Sequence, residues 1–448
     1  MRNVYVELDY NDGSDKTRTF SIYSDGTGEG RLLAPLKFSV KVRTWIQADR
    51  TESSISKISI CNADGELDNF IENTFTACRI KENDNGTTST LATGLIDRVV
   101  LTNNSVIEVS LKDASRVLDM PLQDDYFPAS ETSDTGSGTN TYYALEGQPR
   151  PLALGDVLSV KPVLAKRSNN EYHCSEQSLD ATVTTYDRGV VVTHTDQNKG
   201  FTLNADPDGA VVADIEASDS VGIFTRYSIL NLDEDDLDYI DNNKGYDYAY
   251  YQDNTSSSTI FDFLTWFCDS ITGWFYADEV GDIRFGYLEL PAVTADVEIN
   301  TTLSEVKVFD DLAPNLTTKL GYDRNWYVYE DDQIAAGATA ENRANLTKQW
   351  RGTLDGANTV DDFYSPLPTI HDTFIRGETH GQNEIDNITE LYSERRKFYT
   401  FDSPEIAAIG QTVKLTYARF GLESGVNLFC VGYEIDFIYN SYRLTLWG

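Results

Sequence analysis

The feature that most limits the fold is a two-residue alternation of apolar and polar side chains at both ends of the chain. Near the amino terminus this alternation covers Val4, Val6, Leu8 and Tyr10, and then Phe38, Val40 and Val42. Near the carboxyl terminus it returns over 413–417, 433–437 and 442–447. Because a period of two places one face of a strand on a core and the other in water, both ends are predicted to be β-rich.

Composition supports the same fold class. The chain holds 26 tyrosines and 20 phenylalanines but only 2 methionines, and aromatic side chains suit a pleated, half-buried surface. Its length of 448 residues corresponds to about three domains. We therefore predict a mainly β, multi-domain protein with a few helices, whose core needs neither disulfides nor metals.

The middle of the chain carries the clearest helical pattern. Apolar side chains recur at helical spacing at Ile260, Phe263, Leu264, Phe267 and Ile271. The residues before them offer an N-cap at 256–259, and Gly273 offers a C-cap. A hairpin is predicted directly afterwards, from Trp274 through a turn at Val280 and Gly281 to Phe285.

Shifts in pattern along the chain predict its division into domains. The stretches 335–350 and 384–393 also suit helices, and the acidic, Tyr-rich stretch 233–253 is predicted to be a loop. The predicted domains are an N-terminal β-barrel-like domain (1–120), a β-rich insertion domain (121–219), an α+β domain with the amphipathic helix and hairpin (220–300), and a C-terminal β-barrel-like domain (301–448).

The charge of the chain is strongly unbalanced. Lysine and arginine number 36 against 72 acidic residues, which gives a formal net charge of −36. Such a surface repels DNA phosphates and anionic lipid, so neither is expected to be a bound ligand. High solubility, or adaptation to a salty environment, would explain the same excess.

Cysteine usage points to a reducing compartment. No two of the five cysteines have the C-x-x-C spacing of zinc or redox sites, and an odd count argues against a disulfide scaffold. We expect reduced, mostly buried thiols in a chain made in a cytoplasm, at Cys61, Cys78, Cys174, Cys268 and Cys430. No signal peptide is expected, because no apolar segment follows a basic start. The apolar stretch 260–274 contains Asp262 and Asp269 and is not expected to span a membrane.

Two features of the sequence could supply metal ligands. The run Asn204-x-Asp206-x-Asp208-Gly209 imitates the first half of a calcium loop, but Ile215 occupies the twelfth position, where a bidentate Glu belongs. We predict a turn between strands there. The four histidines lack ligand spacing and are predicted to be ordinary surface residues: His173, His194, His371 and His380. Neither a metal site nor a cofactor is predicted.

The sequence makes no positive case for catalysis, and we predict that the protein is not an enzyme. It contains no G-x-S-x-G elbow, no H-E-x-x-H helix and no P-loop. Carboxylate pairs occur by chance among 72 acidic residues, and a glycosidase needs two at a defined spacing in a cleft. Cys268 lies beside Phe267 on the amphipathic helix and is predicted to be a core residue rather than a nucleophile.

Several segments, taken in their order, resemble the tail-tip or baseplate hub proteins of long-tailed, siphovirus-like bacteriophages. Their joint order over almost the whole chain carries the resemblance, rather than any single piece. The segments are Asn62–Asp68, Leu111–Asp113, Leu118–Gln123, Pro149–Val157, the helix with its Trp274 hairpin, Gly321–Trp326, Gly410–Val413, Ala418–Leu422 and Leu446–Gly448.

The resemblance implies a β-barrel-based structural hub of the virion, located at the tail tip and made in the bacterial host cytoplasm. Such a hub closes the tail tube and organises the channel for DNA ejection. The implied partners are further copies of the chain in a homotrimer, the distal tail protein ring, the tape-measure protein, and other tail-tip or fibre proteins. DNA is implied only in transit and not as a bound ligand.

An acidic channel wall would suit that role, because a basic wall would release counterions from DNA and hold it. The residues predicted to face such a lumen are Asp233, Glu234, Asp235, Asp236, Asp238, Asp310 and Asp311. The alternative is that these residues merely solvate the outer surface.

Two other classes of protein stay open. One is a carbohydrate-binding or depolymerising β-protein of the tail that acts on the host surface, which would lower the viscosity of host polysaccharide. The other is a secreted halophilic adhesin, which the missing signal peptide disfavours.

Overall fold

The computed structural model describes residues 2–22, 28–33, 36–42, 52–102, 105–112, 114–127, 145–166, 169–217, 233–310, 317–357, 370–394 and 396–448. Within these ranges the chain is mainly β with a few helices, so the predicted fold class is confirmed. Among the helices of these ranges, none combines the length and the apolar character that crossing a membrane requires.

The amino-terminal part is built from strands and two short 3-10 helices. They are β1 (Arg2–Asn11), β2 (Asp15–Ser21), β3 (Leu32–Leu33), β4 (Lys37–Lys41), β5 (Glu52–Ile55), β6 (Ile58–Cys61), η1 (Asp68–Glu72), β7 (Thr74–Asp84), β8 (Thr87–Thr102), β9 (Val106–Lys112) and η2 (Ala114–Asp119). The order β2-β1-β7-β8-β9-β6-β3 makes one sheet, the N-terminal sheet. The alternation in β1 has its expected effect, since Val4, Val6 and Leu8 are buried.

The next part forms two small antiparallel sheets. Its strands are β10 (Leu152–Leu154), β11 (Asp156–Val160), β12 (Val163–Lys166), β13 (Glu171–His173), β14 (Leu179–Asp187), β15 (Val190–Val192), β16 (His194–Gln197), β17 (Gly200–Leu203) and β18 (Val211–Ala217). The sheets run β11-β18-β14-β15 and β12-β13-β17-β16, whereas β10 pairs with residues 250–252 farther along the chain. We call residues 156–217 the insertion. Val157, Phe201 and Ile215 belong to the apolar cluster between its sheets.

Helices enter the chain in the third part. Its elements are α1 (Glu234–Lys244), β19 (Tyr250–Gln252), α2 (Ile260–Ser270), β20 (Gly273–Ala277) and β21 (Ile283–Tyr287). Helix α2 begins with a capping box, in which Thr259 and Asp262 satisfy each other's backbone N–H groups. It buries the predicted apolar stripe, and β20 pairs with β21. The predicted helix and hairpin are therefore confirmed.

The carboxyl-terminal part completes the fold. Its elements are β22 (Val297–Ile299), β23 (Lys307–Asp310), β24 (Thr317–Arg324), α3 (Ala340–Leu346), β25 (Trp350–Ala357), β26 (Ile370–Asp372), α4 (Glu378–Leu391), β27 (Lys397–Ser403), β28 (Thr412–Leu415), β29 (Val426–Asp436) and β30 (Ser441–Trp447). The order β22-β28-β29-β30-β27-β23 makes the C-terminal sheet, and β25-β24-β26 a smaller one. Helix α3 lies within the predicted helical stretch 335–350. Helix α4 overlaps the predicted stretch 384–393 but begins six residues earlier.

The two ends of the chain share one sheet and one core. Strand β4 leaves the N-terminal part and pairs with β29, placing Phe38 opposite Ile435. Residues Ser56 and Lys57 alone connect β5, which pairs with β4, to β6 of the N-terminal sheet. One apolar cluster therefore includes residues of both sheets, with Phe20, Phe38, Phe401 and Trp447 among its large members.

The tip of the β20–β21 hairpin joins the two sheets a second time. The Asp278 carboxylate accepts hydrogen bonds from the backbone N–H groups of residues 280–282 at 2.9–3.0 Å, which closes the turn. Beside it, the Glu279 carbonyl accepts from Thr93 N of β8 at 2.7 Å. The Glu279 carboxylate accepts from the Tyr433 hydroxyl of β29 at 2.9 Å. The division into the four predicted domains stays a prediction.

Candidate functional site

The predicted acidic loop is wrong in its secondary structure, because residues 234–244 form α1. Asp233 is its N-cap and accepts a hydrogen bond from Asp236 N at 3.1 Å. Its apolar pattern is weak, since Leu237 and Ile240 are the two residues of α1 that belong to the apolar cluster beneath. Capping and a tertiary ion pair, rather than an apolar stripe, hold this helix.

That ion pair involves two of the predicted acidic residues, Asp233 and Asp236, which share one guanidinium. The Asp236 carboxylate accepts from Arg284 Nε at 2.7 Å and Nη2 at 2.9 Å, a two-point pairing. It also accepts from Phe285 N at 3.0 Å. Asp233 lies 3.6 Å from the same guanidinium. These carboxylates raise the pKa of Arg284, mainly through the hydrogen bonds that its guanidinium donates to Asp236.

The other predicted acidic residues fall into two groups. Asp235 and Asp238 are exposed on α1, and Asp241 is exposed beside them at the same three-residue spacing. Three residues make almost one helical turn, so these side chains share a face. Glu234 begins α1 and Asp310 ends β23, but their side chains lie outside the described ranges, as does the whole of Asp311.

A buried ion pair fixes the end of α1 to α4. Lys244 Nζ lies 2.6 Å from Glu384 Oε2, and their side chains are 5% and 0% exposed. The same carboxylate accepts from the Tyr246 hydroxyl at 3.3 Å and from the Thr272 hydroxyl. Burial raises the pKa of Glu384, although the Lys244 charge opposes that rise.

Aromatic rings surround the Lys244 ammonium group. Its Nζ lies 5.1 Å from the centre of the Tyr287 ring and 5.7 Å from that of Tyr246. The Tyr239 ring stacks on Tyr287 with centroids 5.4 Å apart. The inner face of α1 is thus held by an ion pair and ring contacts, and its outer face presents carboxylates to solvent.

The prediction of ordinary surface histidines is wrong for two of the four. His173 in β13 and His371 in β26 are both buried. His371 Nε2 donates to the Asp269 carbonyl at 2.7 Å. Burial lowers the pKa of His371 to about 4. His194 and His380 are half-buried, on β16 and α4. A neutral imidazole that has one partner can be buried, and no local pattern signals that.

The calcium-like run lies in the turn between β17 and β18. Asp206 accepts from Asn170 Nδ2 at 2.8 Å. The N–H groups of Asp208 and Gly209 donate to the Asp187 carboxylate at 2.6 and 2.9 Å. Among the described residues, no group of three or more His, Cys, Asp or Glu side chains is placed to hold a metal ion.

Most of the cysteines are buried in the interior of the fold. Cys78, Cys174, Cys268 and Cys430 are buried, and Cys61 is half-buried. Cys268 contributes to the apolar cluster under α2, so its predicted core role is confirmed. Burial raises the pKa of its thiol well above the ordinary value, which disfavours the thiolate that a nucleophile needs.

Segments that carry the sequence resemblance meet at joints of the fold. Gln123 Nε2 donates to the Arg150 carbonyl at 2.7 Å, although these residues are 27 positions apart. The Trp274 ring lies against Gly410, where a Cβ would meet it at 3.5 Å. Trp326 N donates to the carbonyl of Leu158, one residue past the Pro149–Val157 segment. The segments thus connect parts that are distant in sequence.

No protein-family model matches the chain, and no curated protein does. Among solved structures, the chain is similar over 100% of its length to the 43 kDa tail protein of prophage MuSo2 from Shewanella oneidensis. That likeness has 10% identity and a TM-score of 0.42 and covers 98% of that chain.

Two further tail proteins are similar over the whole of this chain. The prophage tail protein gp18 from Listeria monocytogenes EGD-e has 9% identity and a TM-score of 0.43, with 94% of it covered. The tail protein from Neisseria meningitidis MC58 has 9% identity and a TM-score of 0.40, with 96% covered.

Proposed function

We propose that the chain is a structural hub of a phage tail tip, which closes the tail tube and organises the channel for DNA ejection. The observation that carries this proposal is the ordered set of hub-like segments, several of which form the joints between distant parts of the fold.

The shared core of the two chain ends supports a mechanical role. Strand β4 pairs with β29, and the Glu279 hairpin tip bonds to both β8 and β29. A hub that holds a tube closed must resist separation of its parts, and a continuous core resists better than a flexible linker.

The charge distribution on α1 suits a channel that DNA passes through. Asp235 and Asp238 point to solvent from a helix whose inner face is anchored by the buried Lys244–Glu384 pair. Fixed carboxylates repel phosphate and offer no counterion release, so duplex DNA would slide rather than bind. We propose that these two residues face the lumen, whereas Asp233 and Asp236 hold the helix in place.

The proposed assembly is a homotrimer that meets the distal tail ring, the tape-measure protein and other tail-tip or fibre proteins. Cryo-electron microscopy of the virion tests this proposal directly. We expect density for this chain around the axis at the tail tip, with α1 toward the channel. Density elsewhere in the virion, or its absence from the virion, would overturn the hub assignment.

A viscosity assay separates the hub from the carbohydrate-active alternative. Purified chain is incubated with host surface polysaccharide, and a tail depolymerase serves as the positive control. A hub leaves the viscosity unchanged, whereas a fall in viscosity with this chain would favour the depolymerase.

A further inference from the structure

His173 stands at a corner where the insertion meets two segments that precede it. Residues 125–127 pair with 147–150, since Phe127 N donates to the Gln148 carbonyl at 2.9 Å and Arg150 N to the Asp125 carbonyl at 2.8 Å. We call these two segments the paired strip. The Phe127 ring stacks on the His173 ring with centroids 5.9 Å apart, and Phe127 packs with Val163 of β12.

The contact between Arg150 and His173 fixes the tautomer of the imidazole. Arg150 Nη1 lies 2.9 Å from His173 Nδ1, and both side chains are buried. Because a guanidinium only donates, Nδ1 must be the unprotonated acceptor, and the ring proton sits on Nε2. Nε2 then donates to Glu171 Oε1 at 3.3 Å.

Charged groups surround this contact on each neighbouring segment. Glu171 lies on the strand of His173, 3.4 Å from Lys166 of the neighbouring β12, and Arg150 and Asp125 lie on the paired strip. Lys199, in the β16–β17 turn, lies 2.9 Å from the Asp125 carboxylate. Glu176 accepts from Asp125 N at 3.2 Å. A proton added at Nδ1 would face the Arg150 guanidinium directly, whereas the nearest carboxylates lie farther off, Glu171 on the far side of the ring and Asp125 3.2 Å from Arg150 Nε.

We propose that His173 is a pH-operated latch, which holds the paired strip against the insertion while neutral and releases it when the ring is protonated. Protonation removes the lone pair that accepts from Arg150 and leaves two cations within hydrogen-bonding distance. The strip then keeps its Phe127 contacts and the contacts of Asp125 with Lys199 and Glu176, but it loses the contact that fixes Arg150 and therefore opens from the insertion more often.

The direction of the pH effect follows from linkage. Burial lowers the pKa of His173 below the ordinary 6.5, and Arg150 and Lys199 lower it further, while Glu171 opposes them. In the released state the ring regains its ordinary pKa and binds a proton more readily. The latch is therefore fully closed above about pH 6.5 and weakens as the pH falls through the lower value.

Hydrogen exchange on the full chain tests the latch. Exchange of the backbone amides of 125–127, Gly147, Gln148 and Arg150 is compared at about pH 7.5 and pH 5.5 after correction for intrinsic rates, with β29 amides as the reference for global opening. We expect the strip amides to exchange at least about threefold faster at the lower pH, with a smaller change in β29. An unchanged strip, or a strip and β29 that accelerate equally, would overturn the proposal.

Two glutamine variants make the test specific. In His173→Gln the amide can accept from Arg150 and donate to Glu171 without titrating, so the pH effect on the strip should vanish. His194→Gln, on β16 of the same insertion, should keep it. If the strip amides of His173→Gln still exchange faster at the lower pH, a group other than His173 causes the effect and the proposal is overturned. Nitrogen NMR of histidine-labelled wild-type protein needs no variant, and loss of the Nδ1 acceptor signal should coincide with strip release.

Discussion

The two chain ends and the insertion are joined to their neighbours by different physical means. Strands β4 and β29 pair directly, although Lys37 and Glu434, which bond across them, lie 397 positions apart. The apolar side chains of the two strands belong to one large cluster. The insertion is close in sequence to the rest, but several small apolar clusters and directional hydrogen bonds join it. Distance along the chain is therefore a poor guide to how firmly two parts are connected.

Asp214 shows the second kind of joint most clearly. Its buried carboxylate accepts from Arg351 Nη2 at 2.7 Å, from Ser159 N at 2.8 Å and from the Tyr186 hydroxyl at 3.2 Å. Burial, with Asp214 as the next cause, raises the pKa of Tyr186 to about 12. Such a joint fixes orientation, whereas an apolar core supplies most of the free energy of folding.

The largest expected effect comes from the core that the two ends share. Phe38→Ala removes a fully buried ring that packs 6.1 Å from Tyr433, and we expect it to lower the free energy of unfolding by about 3–5 kcal/mol. Phe309→Ala, at a 52% exposed position of β23, is the matched control and should cost little. In hydrogen exchange both β7–β8 and β27–β30 should lose protection, and a loss confined to one sheet would contradict the shared core.

Removing one partner of the buried Lys244–Glu384 ion pair should destabilise the protein almost as much as Phe38→Ala does. Glu384→Gln leaves the Lys244 charge buried without a carboxylate, and we expect a loss of about 3–5 kcal/mol in urea unfolding. Glu390→Gln, at an exposed position of the same helix, should change little. The double variant Lys244→Met, Glu384→Met should lose less than the single one, because neither charge is then stranded. A larger loss would show that the pair itself stabilises the fold.

Acid should weaken the protein through His371 before most carboxylates titrate. Its pKa falls from 6.5 to about 4 on folding, so its contribution is complete above pH 6.5 and is lost as the pH falls through about 4. A gap of that size is worth about 3 kcal/mol. Urea unfolding of wild type and His371→Gln at several pH values measures it. The variant should show a flatter decline, and parallel curves would contradict the assignment.

Removing the Asp214 charge should destabilise the insertion without destabilising the shared core of the two chain ends. We expect Asp214→Asn to cost about 1.5–3 kcal/mol, as for hydrogen bonds to a buried charge, with faster exchange in β14 and β18 and little change in β29. Asp208→Asn, at an exposed position of the same insertion, serves as the control. An equal loss of protection in β29 would mean that the insertion and the body unfold together.

The smallest effect is expected on the outer face of α1. Asp235→Asn and Asp238→Asn replace exposed carboxylates, and we expect each to change the free energy of unfolding by less than about 0.5 kcal/mol. Chemical denaturation measures this change. A loss as large as that of Glu384→Gln would mean that these carboxylates hold the fold rather than face a channel.

The sequence pattern alone predicted the elements that are stabilised by residues close together in sequence. The stripe of α2 and its Thr259–Asp262 cap are adjacent in sequence, and the alternation in β1 marks its buried face directly. Helix α1 was missed because its stabilising partner, Arg284, lies 48 positions from Asp236. The burial of His173 and His371 was missed for the same reason, since their hydrogen-bond partners come from other elements.

The sequence by itself therefore determined the β-rich class, the central helix and hairpin, the core position of Cys268 and the ordered resemblance to tail hubs. Only the tertiary structure decided that β4 pairs with β29, that Lys244 and Glu384 meet in the interior, and that Asp233 and Asp236 bind Arg284 while Asp235 and Asp238 stay exposed. Alternation and helical spacing report which face of an element is buried, but the partner on that face is chosen by packing between distant segments.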